Sequence, residues 1–378
     1  MRYETKKTAP YMIKIVIKSV GDYLKYVKIV ENLSRQKMLI QTLCGILKSR
    51  SVVLSEIAQH LNDSVKTASN ETRLQDFFRE VSFDYTALAE FLYVFLHAQT
   101  GEKIRLSIDR TEWDFGKQQT NILMIIASKG AYTVPLYWEL LDNKSGNSNS
   151  QNRIEVLEKC VDLIGVQNIG YLVGDREFIG HKWLKYLKDN KIRFCFRIPK
   201  SHLIETTDGE IYNAFDLWKQ GKKEIQFKHC IVDNVWGSAK ITTDAKGELL
   251  FLFGTVEVKF LEQLYRKRWL IETVFQAFKS RGFDLEQTHL KDNVRLKKMV
   301  GLVSMAYAFC TSLGIFKDQN EKPIKIKNHK RKAKSFFRYG LDFIRDAFKI
   351  GYKYQQQWCE LFQKFIQFIF VKRCKLIT

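Results

Sequence analysis

At 378 residues, 45% hydrophobic and 27% charged, the chain is long enough for about two to three domains around a sizeable core, which excludes disorder as its main state. Lysine and arginine number 62 against 41 acids, a formal charge of +21. That excess points to a polyanionic partner, with nucleic acid first and an acidic membrane surface second. Seven scattered cysteines without a C-x-x-C pair exclude a zinc ribbon and argue against a secreted disulfide scaffold.

Residues 1–32 read as an extension of unknown structure. Charges and Pro10 precede a short apolar stretch that Lys14 and Lys18 break, so it makes a poor signal peptide, and the cytoplasm is the expected compartment. Residues 33–100 read as a helical head. Leu33, Leu39, Ile40, Leu43 and Leu47 recur at helical spacing, a second helix follows through Leu54 to Leu61, and a third carries Leu74, Phe77 and Phe78 after a start signal at Ser69-Asn70. A fourth runs from about Tyr85 to Leu96. With Arg35, Lys37, Lys48, Arg50, Lys66 and Arg73, this head suits either DNA binding or a packing cap on the next domain.

The texture changes at Lys103. Runs at 104–108, 121–127 and 133–139 are rich in branched and aromatic residues and predict three successive strands. The loop DNKSGNSNSQN at 142–152 precedes a helix to Ile164, a buried strand Ile169 to Val173, a helix from His181 and a strand Arg193 to Ile198. A meander followed by alternating strands and helices predicts a mixed α/β sheet over 101–198, completed by 259–316. Residues 199–258 read as a hairpin-rich β insertion, and 317–378 as a basic loop and a helical tail. Met299 to Phe316 are eighteen residues without a charge, which just reaches the length of a membrane span. Six polar or glycine positions within it favour a buried core helix.

Two aspartates follow core-strand patterns: Asp109 closes RLSID before RTEWDFG, and Asp175 closes GYLVGD before REF. An acid there loses hydration and needs a cation or donors nearby, and a helix cap or a salt bridge to Arg110 or Arg176 would satisfy it. A third element changes the balance. In YRKRWLIETVFQAFK, Tyr265, Arg268, Glu272 and Lys279 fall within roughly 60° of arc on one helix, a polar stripe about 20 Å long. Leu270, Ile271, Val274 and Phe278 lie opposite. Taken alone, such a stripe also fits a solvated face.

The order Tyr, two residues, Arg, three residues, Glu, six residues, Lys resembles the signature of transposases of the insertion-sequence-4 family. DRTEW, continuing to Gly116, resembles that family's first-aspartate motif, and GDREF its second. The similarity runs from about Leu33 to about Leu290. It implies a ribonuclease-H-like core with a β-rich insertion, flanked by helical N- and C-terminal regions. It implies that Asp109, Asp175 and Glu272 bind Mg2+, with Mn2+ able to substitute, and that Tyr265, Arg268 and Lys279 contact the DNA backbone near the cleaved end. The offset of 97 positions from Asp175 to Glu272 is what such an insertion would fill. Some relatives hold a flipped base on an aromatic side chain in this region, which makes Trp236 a DNA-binding candidate; the ordinary place for a tryptophan among strands is the core.

Two divalent ions on three carboxylates suit phosphodiester cleavage, and the same site would join the freed 3′-hydroxyl to target DNA. No G-x-x-x-x-G-K-[ST] loop is present, so ATP dependence is not expected. The seven histidines lack zinc-ligand spacing, and only His289 lies near the signature. The loop from Lys317 to Arg338 has nine basic residues against two acids and suits phosphate contact. The expected function is therefore a metal-dependent DNA transposase acting on terminal repeats and target DNA, with no membrane partner. Its rivals are a nuclease on the same fold, or a silent transposase-derived DNA-binding protein or inhibitor. Joining two ends to one target predicts a homodimer on DNA. Apolar stripes of the tail at Leu341, Ile344, Phe348, Phe362, Phe365, Ile366 and Ile369 offer one interface, or packing within the chain.

Overall fold

A computed structural model describes residues 27–62, 64–97, 101–115, 118–141, 146–219, 224–244 and 247–349, and, in the tail, 360–361, 364–365 and 367–371. Most of the expected extension, Gly116, part of the 142–152 loop, and the side chains of Phe348, Phe362 and Ile366 lie outside the described residues.

The core begins as a meander. Strands β1 (Ile104–Phe115), β2 (Gln118–Lys129) and β3 (Tyr132–Leu141) pair antiparallel. Helix α5 (Ser150–Ile164) then carries the chain to β4 (Ile169–Gly174), parallel to β1, and α6 (His181–Asp189) carries it to β5 (Phe194–Arg197), parallel to β4. The order β3-β2-β1-β4-β5 is the ribonuclease-H-like arrangement, with β4 so deeply buried that both its faces are apolar.

The expected β insertion is there, joined to the core sheet. It comprises β6 (Leu203–Thr206), β7 (Ile211–Asn213), β8 (Ile225–Val232), β9 (Val235–Thr243) and β10 (Leu249–Gly254). It also contains a short helix, α7 (Ala214–Lys219), where only strands were expected. Because β10 pairs with β5, the two parts form one ten-stranded sheet among the described residues, in the order β3-β2-β1-β4-β5-β10-β9-β8-β6-β7.

Four N-terminal helices precede the sheet: α1 (Leu33–Ser49), α2 (Leu54–Ala58), α3 (Thr67–Glu80) and α4 (Tyr85–Val94). Ser69-Asn70 does not start the third helix, which begins at Thr67. Instead the buried Asn70 donates to the carbonyls of Ala58 (3.3 Å) and Asn62 (3.0 Å) and ties down the preceding turn. After β10 come α8 (Val258–Tyr265) and α9 (Trp269–Phe278), then α10 (Asn293–Asn320) and α11 (Phe336–Lys349).

Helix α10 is the one described helix long and apolar enough to cross a membrane, and its apolar window is entirely buried in the protein. It packs against β3, α1, α4 and α11, so it is the axis on which head, sheet and tail meet. Its charged end is satisfied locally: Lys297 pairs with Glu139 at 2.8 Å, and buried Lys298 donates to the Phe78 carbonyl at 2.8 Å. The expected basic loop starts later than Lys317, because α10 runs on to Asn320.

The tail's apolar stripes are used within the chain. Leu341, Ile344, Phe365 and Ile369 are buried, and Phe365 packs on Phe309 and Phe316. These described positions therefore offer no free face for a second copy. Helices α10 and α11 cross on glycines: a methyl group on Gly340 would overlap the Cys310 carbonyl, and one on Gly314 would overlap that of Phe336. Replacing Gly340 with Ala must separate the helices, an overpacking cost of about 1–3 kcal/mol. Urea unfolding should show that loss for Gly340→Ala, whereas an unchanged midpoint would mean that the helices do not cross here.

Candidate functional site

The site begins where β1 and β4 part. Their pairing ends at Ser107–Val173, yet β1 runs on beside β2 as far as Phe115. Asp109 therefore sits inside a twelve-residue strand, not at a strand end as the RLSID pattern suggested. Asp175 follows the last residue of β4. A crevice at the carboxyl ends of diverging strands is a common place for chemistry in α/β sheets.

Glu272 arrives on α9, which packs across β1. The YRKRWLIE segment is not one continuous helix. Tyr265 ends α8, a 3₁₀ turn spans Arg266–Arg268, and α9 starts at Trp269. The tighter turn keeps Tyr265, Arg268 and Glu272 facing the crevice. Lys279 lies just past the end of α9 in extended conformation. Its ammonium donates to the Glu112 carbonyl at 3.2 Å and pairs with Glu286 at 3.3 Å, so it reaches the far end of β1 and not the acids. The expected stripe divides into two parts.

Arg268 is the hub. One guanidinium nitrogen donates to Asp109 Oδ2 at 3.0 Å and another to Glu272 Oε1 at 2.5 Å. Its Nε is buried without a partner. Tyr265 lends its ring face to the guanidinium at 5.5 Å and donates its hydroxyl to Asp175 Oδ1 at 3.1 Å. The three acids are thus gathered around one guanidinium and one phenol. The salt bridge to Arg110 that would have given Asp109 a purely structural role is not formed. Arg110 instead binds Glu177 (3.0 Å) and Glu112, while only its backbone amide donates to Asp109.

The electrostatics follow from this enclosure. Burial pushes the Asp109 carboxyl up to about 7 despite the Arg268 guanidinium beside it, and the charges of Asp175 and Glu177 push the same way. Burial alone would lower Arg268, but Tyr265, Asp109, Asp175 and Glu272 outweigh it and hold the guanidinium charged. Burial also raises the Tyr265 phenol far above its usual range, so it stays a hydrogen-bond donor.

Behind the acids lies a network that the sequence did not announce. Glu177 accepts from Arg110 and from Ser148, and buried Arg153 holds Ser148 through its hydroxyl at 2.9 Å and its carbonyl. Asn121, wholly buried, accepts from Arg110 at 3.1 Å and donates to the Gly146 carbonyl at 3.0 Å. These contacts fix the loop beside the crevice. The only advance signal was the position of Glu177 two residues after Asp175 in GDREF.

The remaining expectations separate. His289 is exposed on the segment before α10. Trp236 is not a core residue: it is 49% exposed, at the start of β9. The rows of paired residues from Gly174 through Phe196, Phe253 and Ala239 put it on the order of 20 Å from Asp175, toward the opposite end of the sheet.

The family comparison agrees with this geometry. The model described as a transposase DDE domain matches residues 105–309, more than half of the chain. The chain belongs to this family of DDE transposases. Members of the family are metal-dependent enzymes that process DNA. Seven chains among solved structures match. One is described as a "Cryo-EM structure of piggyBac transposase synaptic complex with hairpin DNA (SNHP)", at 11% identity and a TM-score of 0.44, covering 92% of this chain and 82% of that one. No curated protein matches.

The donor set of this DDE domain fits a hard divalent cation. Carboxylate oxygens are the ligands Mg2+ and Mn2+ prefer, and a cationic group already sits where they converge. Among the described residues no three acid, histidine or cysteine side chains stand close enough to hold an ion as they are. A metal held by Asp109 and Glu272 would have to compete with Arg268 for them. In Arg268→Ala, the DNA-free protein should bind Mn2+ about ten-fold more tightly, read by calorimetry or by the Mn2+ resonance signal. Equal affinity in the two proteins would remove Arg268 from that competition.

Proposed function

We propose that this DDE transposase is of the insertion-sequence-4 kind: it cleaves the ends of its own element and joins the 3′-hydroxyls to target DNA. The observation that carries the reading is the convergence of Asp109, Asp175 and Glu272, from three distant segments, on Arg268 and Tyr265. Asp109, Asp175 and Glu272 would hold two Mg2+ ions, with Mn2+ as a substitute. Such ions lower the cost of deprotonating water and of expelling an alkoxide.

The chain's own groups prepare the crevice for a phosphate. In the free protein Arg268 neutralises the acids, which would otherwise repel one another. An incoming DNA phosphate offers its guanidinium a better partner, through two parallel donors, and frees Asp109 and Glu272 as it does so. Tyr265 orients Asp175 by its hydroxyl and is positioned to reach the same strand. Lys279, at the far end of β1, meets the backbone further along as a compact charge. The N-terminal helices and the basic segment after α10 add phosphate contacts on either side, consistent with a net charge of +21. The partners are double-stranded DNA, as terminal repeats and as target, and a second copy of the chain on that DNA. The reaction belongs to the cytoplasm, at the nucleoid.

Of the two rivals, the silent DNA-binding protein is disfavoured because all three acids are present and face one crevice. A nuclease without strand transfer differs only in the second step, so one assay separates them. Element ends and a target plasmid are incubated with Mg2+, and both cuts and joined products are mapped. Cleavage without joined product would favour the nuclease.

Replacing Asp109, Asp175 or Glu272 with Ala should reduce cleavage by about a thousand-fold, the weight of several kcal/mol of barrier, while end binding measured by mobility shift persists. Retained cleavage in any one variant would take that residue out of the site. Lys279→Ala should flatten the dependence of log affinity on log salt by about 0.9, one phosphate contact. An unchanged slope would leave Lys279 as a purely structural tie between Glu112 and Glu286.

A further inference from the structure

Lys240 is a buried cation in the middle of the β insertion, on β9 and only 8% exposed. Alternation along β9 sends Ala239 and Ile241 into the main core and Lys240 to the other face of the sheet, beside its pairing partner Leu252. Helix α8 lies on that face. Its Leu261 and Tyr265 share a small apolar cluster with Val173 of β4 and with Leu250 and Leu252 of β10. The Lys240 ammonium pairs with Glu262 of α8 at 3.1 Å and with Glu224, just before β8, at 3.0 Å. Glu262 also accepts from Arg266, the first residue of the 3₁₀ turn. Burial alone would lower the proton affinity of Lys240, but its hydrogen bonds to both carboxylates and their charges outweigh it and keep the ammonium charged.

Two kinds of force therefore seat α8 on the sheet. The apolar cluster is small, and apolar contact has no direction, so it tolerates a helix that slides or turns. The ion pair tolerates neither, because a displaced partner would leave Lys240 buried and unpaired. Fixing register is the best-attested service of such pairs. Register matters at this helix. Glu262 stands about one turn before Tyr265, and the chain passes from there straight into the turn that ends at Arg268. A slip of one residue moves a helix by about 1.5 Å and turns it by about 100°. Either change takes the Tyr265 hydroxyl, now 3.1 Å from Asp175 Oδ1, out of reach.

We propose that Lys240 is a positioning residue for the acid crevice: by holding Glu262 it fixes the register of α8, and with it the placement of Tyr265 and Arg268. Its partners are Glu262 and Glu224, not the three acids, so it acts only through the helix. The proposal rests on the transposase reading above for the reaction that Tyr265 and Arg268 serve. It gives the β insertion a task in that reaction, because the strand that carries Lys240 belongs to the insertion and the helix it holds leads into the crevice.

The test removes the pair as a whole. In Lys240→Met combined with Glu262→Leu no buried charge is stranded, since Glu224 is 41% exposed and stays in water. The urea midpoint should therefore hold or rise. Cleavage of element ends with Mg2+ should nevertheless lose about a hundred-fold in kcat, the cost of misplacing a group by about 1 Å, at an unchanged KM for DNA. Lys240→Arg, which keeps the charge and the donors, should recover most of that loss. A second readout needs no DNA. With fluorotryptophan in place of tryptophan, the fluorine resonance of Trp269, the residue after Arg268, reports on the turn, while those of buried Trp138 and Trp183 report on the fold. The Trp269 resonance should shift in the double variant and in Glu262→Gln, and the other two should stay. An unmoved Trp269 resonance or a wild-type kcat in the double variant would overturn the proposal. Movement of all three resonances in both variants would also overturn it, by making the pair a support of the whole fold. The two readings fail separately: in a protein that never cuts DNA the transposase reading falls, and the Trp269 resonance alone decides the role of Lys240.

Discussion

Three carboxylates cannot share a buried crevice without a cation, and in this protein Arg268 supplies it. Its guanidinium spans Asp109 on β1 and Glu272 on α9, so one side chain joins the sheet to the helix that crosses it. The break from α8 into a 3₁₀ turn serves that contact by aiming Arg268 and Tyr265 into the crevice together. With its side chain only 16% exposed, the Asp109 carboxyl is pushed up to about 7 by burial even beside this partner. An arrangement held by an internal counter-ion is stable without ligand and open to exchange. Whatever brings a better partner for the guanidinium also releases the acids.

The surrounding structure is built to hold this crevice still. Arg110, Glu177, Ser148, Asn121 and Arg153 form a connected set in which each charged group has an opposite charge or a hydrogen-bond partner. Buried Arg153 gives up hydration to make these contacts, and its affinity for its proton falls to about 10 as a result. Below them, α10 fills the space between head, sheet and tail, and its glycine crossing with α11 brings the tail close enough to seal it. Any pairing of two copies must therefore use other surfaces than the described tail stripes.

The sheet itself carries the acid crevice and the exposed Trp236 in different directions. Its parallel strands end at the acids, while the hairpin strands, joined through β10 to β5, carry Trp236 to the opposite end. Because the insertion shares hydrogen bonds with the core, the two ends are set by one rigid ladder and not by a linker.

Much of this was legible in the residues alone. The three acid motifs, their order and the tyrosine–arginine–glutamate spacing stand in the sequence because local chemistry and helix periodicity are local properties. The meander, the alternating β4–α6–β5 unit and the apolar run of α10 could be read for the same reason: a strand or helix announces its buried face every two or every three to four residues. What the tertiary structure decided were the contacts between distant segments. Asp109 read as the end of a strand because its continuation pairs with β2 alone. The four-residue stripe looked continuous because ideal periodicity ignores a tightened turn. Whether Trp236 and the tail stripes would be exposed or buried stayed open in the sequence, because burial depends on which distant surface arrives to cover a face. Which cation Asp109 would meet was of the same kind: Arg110, next to it in sequence, turns away to Glu177, and Arg268, 159 residues later, takes the place.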